Sequence, residues 1–450
     1  MEEQTEQPKI KILAWGDYCC STGFGTVMSN IMRQLHASGR YEIDVLGINY
    51  TGDPYDHDKW PGNVYPAMPG IMSQAGPYAD VYGRQRLCDL LGKNQYDVVF
   101  LLQDTFILKD VLPTIKETQK SLADMEGAKT FKIVYYFPID ATPKEEWATE
   151  VVQQVDFPVA YTKYGRAEIA NFVPSLVNMP FIYHGTNFEE YNYIEDRSAV
   201  REFRKEYWHG KADARFLMIN IARNQPRKDI VRNLMILKEL KGRGLNPMLY
   251  LHMQHADVGG NIFVMMDQLG LDREDVILPH PQVFNANQGL PVEVLNQIYN
   301  AADLVLSTTL GEGWGLSITE AFATKTPVVA PNNTSLTEMM ADNRGILIAS
   351  GDTPSMWKMD MQDNERIRPL MDVEEAADAI EQLVRGKGKP DLEGAYKWAK
   401  DHSWESICKL WIQLIDGAAE VAAQANQPLA LNRAQRRAQE RKVAKINATL

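Results

Sequence analysis

Residues 309–322 read TLGEGWGLSITEAF, and two of them, Glu312 and Glu320, are carboxylates with seven residues between them. A carboxylate accepts hydrogen bonds from hydroxyl groups, so two on one short segment can grip a polyhydroxylated ligand at two points. Gly311, Gly313 and Gly315 flank the first acid and allow the backbone to approach a ligand closely. A helix beginning just after them, at Leu316, would present unpaired N–H groups and the positive end of its dipole, which suits an anionic part of that ligand. Gly313, Trp314, Gly315 and Leu316 are thus candidate anion contacts, with Glu312 at the mouth of the loop and Glu320 about two turns further on. A generic pair of acids so placed is otherwise an exposed loop acid and an ordinary first-turn helix acid.

The elements that must hold this segment follow from the apolar pattern. Leu304 to Leu306 is a short continuous apolar run, which predicts a buried parallel strand, and Leu316 to Thr324 predicts a helix ended by Lys325 and Thr326. Further strands are predicted at Phe216–Ile221, Met248–Met253 and Val276–Leu278, with a helical spacing of Leu295, Ile298, Tyr299 and Ala302 leading to Asp303. The first half repeats the theme: strands at Lys9–Trp15, Ile43–Ile48, Asp97–Leu102, Lys132–Phe137 and Pro158–Thr162 alternate with helical or irregular stretches, as in α/β proteins. After the first strand, the loop Ser21-Thr22-Gly23-Phe24-Gly25 leads into a helix predicted over Thr26–Leu35. Its two glycines suit either a ligand loop or a plain turn.

The stretch Glu312-Gly-Trp-Gly-Leu-Ser-Ile-Thr-Glu320-Ala, followed by Thr326-Pro327-Val328-Val329-Ala330, resembles the signature of the retaining glycosyltransferases of family 4. The resemblance implies two Rossmann-like domains facing across a cleft, the GT-B architecture, with C-terminal helices crossing back to the first domain. It also implies a nucleoside diphosphate sugar as donor substrate, no further cofactor and no bound metal. In such enzymes an Arg and a Lys bind the donor diphosphate, and Arg223 and Lys228 match them; Arg227 is the one of the three basic residues expected to be merely exposed. Fixed cations in a water-poor site stabilise the charge that develops on a departing diphosphate. Glu312 would then orient sugar hydroxyls near the reacting carbon and Glu320 the ribose, while a donor phosphate oxygen takes the acceptor's proton. The loop carrying Gly23 and Gly25 would face the donor's phosphates or the acceptor, and Pro279 to Val283 the nucleotide base.

In an open parallel sheet ligands collect at the strands' carboxyl ends, where Asp104 and Asp140 fall. Where the family often presents a histidine near the sugar this chain has Ile139, so a catalytic role passes to Asp140; both aspartates are otherwise plausible caps of the next element. His184 replaces a usual Asn in the turn that closes the first domain and is a hinge or site candidate. Trp398, Trp404 and Trp411, on a helix predicted over Trp398–Ile415, are expected to pack.

A chain of 450 residues with 45% hydrophobic and 24% charged residues suits two domains of soluble type. The expected division is residues 1–195, the acceptor side; 196–390, the nucleotide-sugar side; 391–425, returning helices; and 426–450, a basic tail. The four cysteines and eight histidines show no metal-ligand spacing. The acidic start and the lack of a long apolar run predict a cytoplasmic protein. Net charge is −12, yet residues 431–450 carry six Lys or Arg against Glu440 alone, a net +5. That tail suits DNA or another polyanion as acceptor or guide, or a plain solvated helix. It resembles the basic tails of phage proteins, which makes DNA bases one acceptor class. Two other functions share these features: a nucleotide-sugar 2-epimerase, and a sugar-nucleotide-binding protein without chemistry.

Overall fold

The structure, a computed structural model, describes residues 8–68, 80–280, 289–361, 363–426 and 441. Two compact units account for the chain. One comprises the described residues of Met1–Pro138, Pro143–His184 and Trp404–Leu450, the other Ile139–Thr142 and Gly185–Ser403.

In the first unit, β1 (Ile10–Asp17), β2 (Tyr41–Ile48), β3 (Asn63–Pro66), β4 (Val98–Leu102), β5 (Lys132–Phe137) and β6 (Phe157–Ala160) form one parallel sheet in the order β3-β2-β1-β4-β5-β6. β4 reads VVFLL and is buried along its whole length, as a strand covered on both faces requires. The helix Gly23–Ala37 starts three residues before the predicted one. Thr22 caps it, its hydroxyl accepting the Gly25 N–H at 3.0 Å. The last helix, Trp404–Ala425, packs on Gly23–Ala37 and on β4 and β5, with Trp411 edge-on to Phe100 and Tyr136 at 5.3 and 4.6 Å.

In the second unit β7 (Phe216–Ile221), β8 (Pro247–His252), β11 (Val276–Ile277), β12 (Leu304–Leu306), β13 (Val328–Pro331) and β14 (Ile346–Ile348) form a second parallel sheet, ordered β11-β8-β7-β12-β13-β14. Leu234, Leu237 and Leu240 of the helix Ile230–Gly242 meet Leu249 and Leu251 of β8, and Ala376, Ala377 and Ile380 of the helix Val373–Val384, in one core. Two antiparallel hairpins stand outside the sheet, a small one from β9 (Ala256–Asp257) and β10 (Gly260–Asn261), and one from β15 (Trp357–Asp360) and β16 (Arg366–Pro369).

Two expectations change. The helix predicted over Trp398–Ile415 is two helices, Leu392–Asp401 and Trp404–Ala425. Between them the His402 carbonyl accepts the Thr186 N–H at 2.9 Å, so the backbone there serves a bridge to Thr186 and not a continuous helix. The segment 391–425 is accordingly divided, with Leu392–Asp401 in the second unit and Trp404–Ala425 in the first. The β15–β16 hairpin was not predicted at all. No helix among the described residues is long and apolar enough to cross a membrane. Residues 281–283 of the expected base site, and the basic tail apart from Asn426 and Arg441, lie outside the described residues.

Candidate functional site

The glutamate segment leaves β12 as a loop and becomes the helix Leu316–Ala323 at Leu316, as predicted. Side chains and backbone pin this loop on both sides. Thr308 directs its hydroxyl at the carbonyls of Lys228 and Asp229, 3.1 and 3.0 Å away, and the Leu310 N–H donates to the Arg227 carbonyl at 2.7 Å. Opposite, the Ser335 hydroxyl reaches the carbonyls of Glu312 and Trp314, each at 2.8 Å, and the Glu312 N–H donates to Thr334 Oγ1 at 2.9 Å. These bonds bring the turn Pro226–Lys228, which follows β7, against Glu312.

Each oxygen of the Glu312 carboxylate then takes one cation. Arg227 Nη1 donates to Oε2 at 3.0 Å and to the Gly311 carbonyl at 3.0 Å, and Lys228 Nζ pairs with Oε1. Burial alone would push this carboxyl up, but Lys228 and Arg227 outweigh it and hold Glu312 down at about 2. Burial and the neighbouring Arg227 push Lys228 below the usual lysine value, with Glu312 opposing them.

Arg223 does not join this cluster in the structure. It is more than half exposed and forms a two-point pair with Asp257 of β9 at 2.7 and 3.1 Å. The expectation that Arg227 is the merely exposed one is therefore reversed, because Arg227 is held by the glutamate loop and Arg223 faces the small hairpin. Gly313 and Trp314 are buried, and the Trp314 ring stacks at 6.1 Å from Trp398. Gly315 precedes the helix at φ +110°, a backbone that favours glycine. Glu320 accepts the Tyr299 hydroxyl at 2.6 Å. Burial pushes its carboxyl up to about 7, with Tyr299 opposing and Glu190 adding to the rise.

Asp140 belongs to the same unit, and its carboxylate is engaged by arginines. Its carboxylate faces Arg366 Nη1 at 3.0 Å, Arg368 Nη2 at 3.2 Å and Arg227 Nε at 3.8 Å. Burial would raise it, but Arg368, Arg366 and Arg227 hold it far below the usual carboxylate range. Arg368 is wholly buried, binds the Asp140 carbonyl through Nη1, and shares Asp363 with Arg366. A Cβ on Gly311 would stand 2.0 Å from the Asp140 carbonyl oxygen, so only glycine fits there.

In the first unit, Gly25 packs so closely on Cys20 that a Cβ would lie 2.6 Å from its carbonyl oxygen, and Gly23 is an exposed first helical residue. The Gly25 contact is explained by the turn alone. Asp104 stands at the start of the helix Thr105–Asp124 without a capping side-chain bond. His184 is buried against Tyr136, Tyr161 and Trp404, its Nδ1 2.6 Å from the Tyr136 hydroxyl, and burial pushes it down to about 3, so it is neutral and packs. No three of His, Cys, Asp and Glu gather to hold a metal ion among the described residues.

Sequence reasoning passed over Arg366, Arg368, Asp363, Thr334 and Ser335, and read Tyr299 only as part of a helix. One signal was available, since residues 366–369 read RIRP and alternate with period two, which is a strand pattern.

Residues 289–385 match the family described as Glycosyl transferases group 1, so the glutamate loop, Tyr299, Asp363, Arg366 and Arg368 all lie inside that match. The matched residues all lie within the second unit. The chain is 31% identical over 126 residues to a D-inositol 3-phosphate glycosyltransferase of Corynebacterium urealyticum, a match over 28% of this chain and 25% of that relative. Among solved structures it is similar to Anabaena HepE, in complex with UDP and glucose, with a TM-score of 0.64 at 15% identity over 90% of this chain and 99% of that one. It is also similar to the sucrose-phosphate synthase of Thermosynechococcus elongatus, with a TM-score of 0.62 at 15% identity over 91% and 98%. Two parallel six-stranded sheets with flanking helices are the α/β fold shared with these GT-B proteins.

Proposed function

We propose that this chain is a retaining glycosyltransferase that moves a sugar from a nucleoside diphosphate donor to an acceptor hydroxyl without a metal ion. The observation that carries the proposal is the contact of Lys228 with Glu312 at the head of the helix Leu316–Ala323, inside the glycosyl transferases group 1 match. A cation and a sugar-orienting carboxylate beside the start of a helix are what a sugar diphosphate needs.

In this reading Lys228 stabilises the departing diphosphate, helped by the amides of Gly313 to Leu316. Arg223, once released from Asp257, adds a contact from the rim. Glu312 orients the sugar and Glu320 the ribose, while Asp140 positions Arg227 and does not itself touch the sugar. The bond from the anomeric carbon to the diphosphate breaks, and the acceptor oxygen bonds the same face. Its proton goes to the departing phosphate oxygen. The structure of HepE with UDP and glucose makes UDP-sugars the first donors to try. The tail's charge supports a polyanionic acceptor such as DNA.

The test is incubation with UDP-, ADP- and GDP-hexoses in EDTA, with and without a panel of acceptors including DNA, read by mass spectrometry and anomeric proton NMR. Transfer with the donor's anomeric configuration is the expected result. Isomerised donor without acceptor would mean an epimerase, and intact donor throughout a binding protein.

A further inference from the structure

Arg227 is bound into the glutamate loop by its backbone as well as its side chain. Its carbonyl accepts the Leu310 N–H at 2.7 Å, and its guanidinium touches Gly311 and Glu312. Lys228, its neighbour in the chain, takes the other oxygen of the same carboxylate. The two cations thus flank one anion, an oxygen to each. An anionic phosphate also presents several oxygens to neighbouring donors, and guanidinium groups bind phosphate and carboxylate in the same manner.

We propose that Arg227 is a diphosphate-binding residue of this site, and that Glu312 stands in the phosphate position of the ligand-free chain as an internal anion. A nucleoside diphosphate would displace the Glu312 carboxylate from Arg227 and Lys228, freeing it to accept hydrogen bonds from the donor sugar. The diphosphate brings more negative charge to the two fixed cations than the single carboxylate it displaces, and no proton moves. The exchange rests on the proposed transferase reading and adds to it a third cation and a function for the ion pairs.

The surroundings suit such an exchange. Asp140 lies 3.8 Å from Arg227 Nε and is itself held by Arg366 and Arg368, so the guanidinium stays oriented when Glu312 leaves. The Arg227 side chain is about a third exposed, against a tenth for Glu312, so a ligand can reach it from solvent. The alternative is that Arg227 only ties the loop together, in which case removing it would lower stability and leave ligand discrimination unchanged.

Isothermal titration of the full chain with UDP, GDP and ADP, and with the matching monophosphates, separates these roles. Arg227→Ala should weaken the nucleoside diphosphate that binds wild type by about tenfold or more, the scale of one charge-assisted hydrogen bond, with a much smaller effect on its monophosphate. Glu312→Gln removes the internal anion and should tighten the same nucleoside diphosphate by about threefold or more, as loss of a competing charge-assisted pair requires. That gain should shrink when Arg227→Ala is added, leaving the part that comes from freeing Lys228. The Glu312→Gln arm keeps the question open to refutation if Arg227→Ala folds poorly. Weakening of the diphosphate by Glu312→Gln, or a loss in Arg227→Ala that is absent or equal for monophosphate and diphosphate, would overturn the inference alone. Failure of all three nucleoside diphosphates to bind wild type would overturn the functional reading, and the inference with it.

Discussion

Glu320 places a carboxyl with a pKa of about 7 beside Tyr299, and replacing it with glutamine should make the folded chain more stable in mild alkali. An ordinary glutamate in the unfolded chain titrates near 4.5, so between about 4.5 and 7 the folded chain holds a proton that the unfolded chain has released. Stability from this group is therefore fully present below about 4.5 and is lost as pH rises through about 7. At about 1.4 kcal/mol per pH unit of displacement, the loss approaches roughly 3 kcal/mol by pH 8. Glu320→Gln cannot ionise, so it escapes that loss, but its amide accepts the Tyr299 hydroxyl less strongly than a carboxylate, which returns about 1 kcal/mol. The net gain at pH 8 is on the order of 2 kcal/mol, falling toward zero or slightly below at pH 5. Urea unfolding of both chains at pH 5, 6, 7 and 8, followed by far-ultraviolet circular dichroism, measures the difference. A variant less stable than wild type at pH 8, or with the same pH dependence, would refute the reasoning, since burial would then not be opposing ionisation at this position.

Arg368→Ala leaves two carboxylates, Asp140 and Asp363, without their buried cation and should cost about 3–5 kcal/mol by urea unfolding, with part recovered when Asp140→Asn is added. Gly311→Ala forces a methyl into the Asp140 carbonyl and should cost about 1–3 kcal/mol of stability; a thermal midpoint unchanged from wild type would contradict that contact. Lys228→Ala should lower transfer turnover by about 10²-fold, and activity within a few-fold of wild type would remove its assigned role. Deleting residues 431–450 should abolish salt-dependent retention on DNA, and unchanged retention would end the case for a polyanion guided by the tail.

Most of the two sheets was legible because those strands are short apolar runs bounded by polar turns, whereas β3, which reads NVYP and is only partly buried, and the three-residue β14 were not predicted. The glutamate loop was legible because its glycines and acids are local to one turn. Arg223 and Arg227 were exchanged in expectation for a different reason. Four residues apart in an irregular turn, they have no periodicity to say which way each points, and only the bonds from Thr308 and Leu310 decide it. Asp140 meets Arg366 and Arg368 across 226 and 228 positions of sequence, a partnership visible only in three dimensions. Arg368 was harder still, because a wholly buried arginine violates the usual expectation that arginine lies at the surface. The break at His402 likewise depends on Thr186, far away in sequence.

The central claim is that Lys228 and the glutamate loop together hold a sugar nucleotide. Thermal unfolding of wild type and Lys228→Ala across UDP-, ADP- and GDP-sugars tests it most directly, since a ligand at about a hundred times its Kd stabilises the folded state by about 2.7 kcal/mol. At least one sugar nucleotide should raise the wild-type midpoint by several degrees, with most of that rise lost in Lys228→Ala. A wild-type midpoint that no sugar nucleotide moves, or a rise that survives intact in Lys228→Ala, would contradict it.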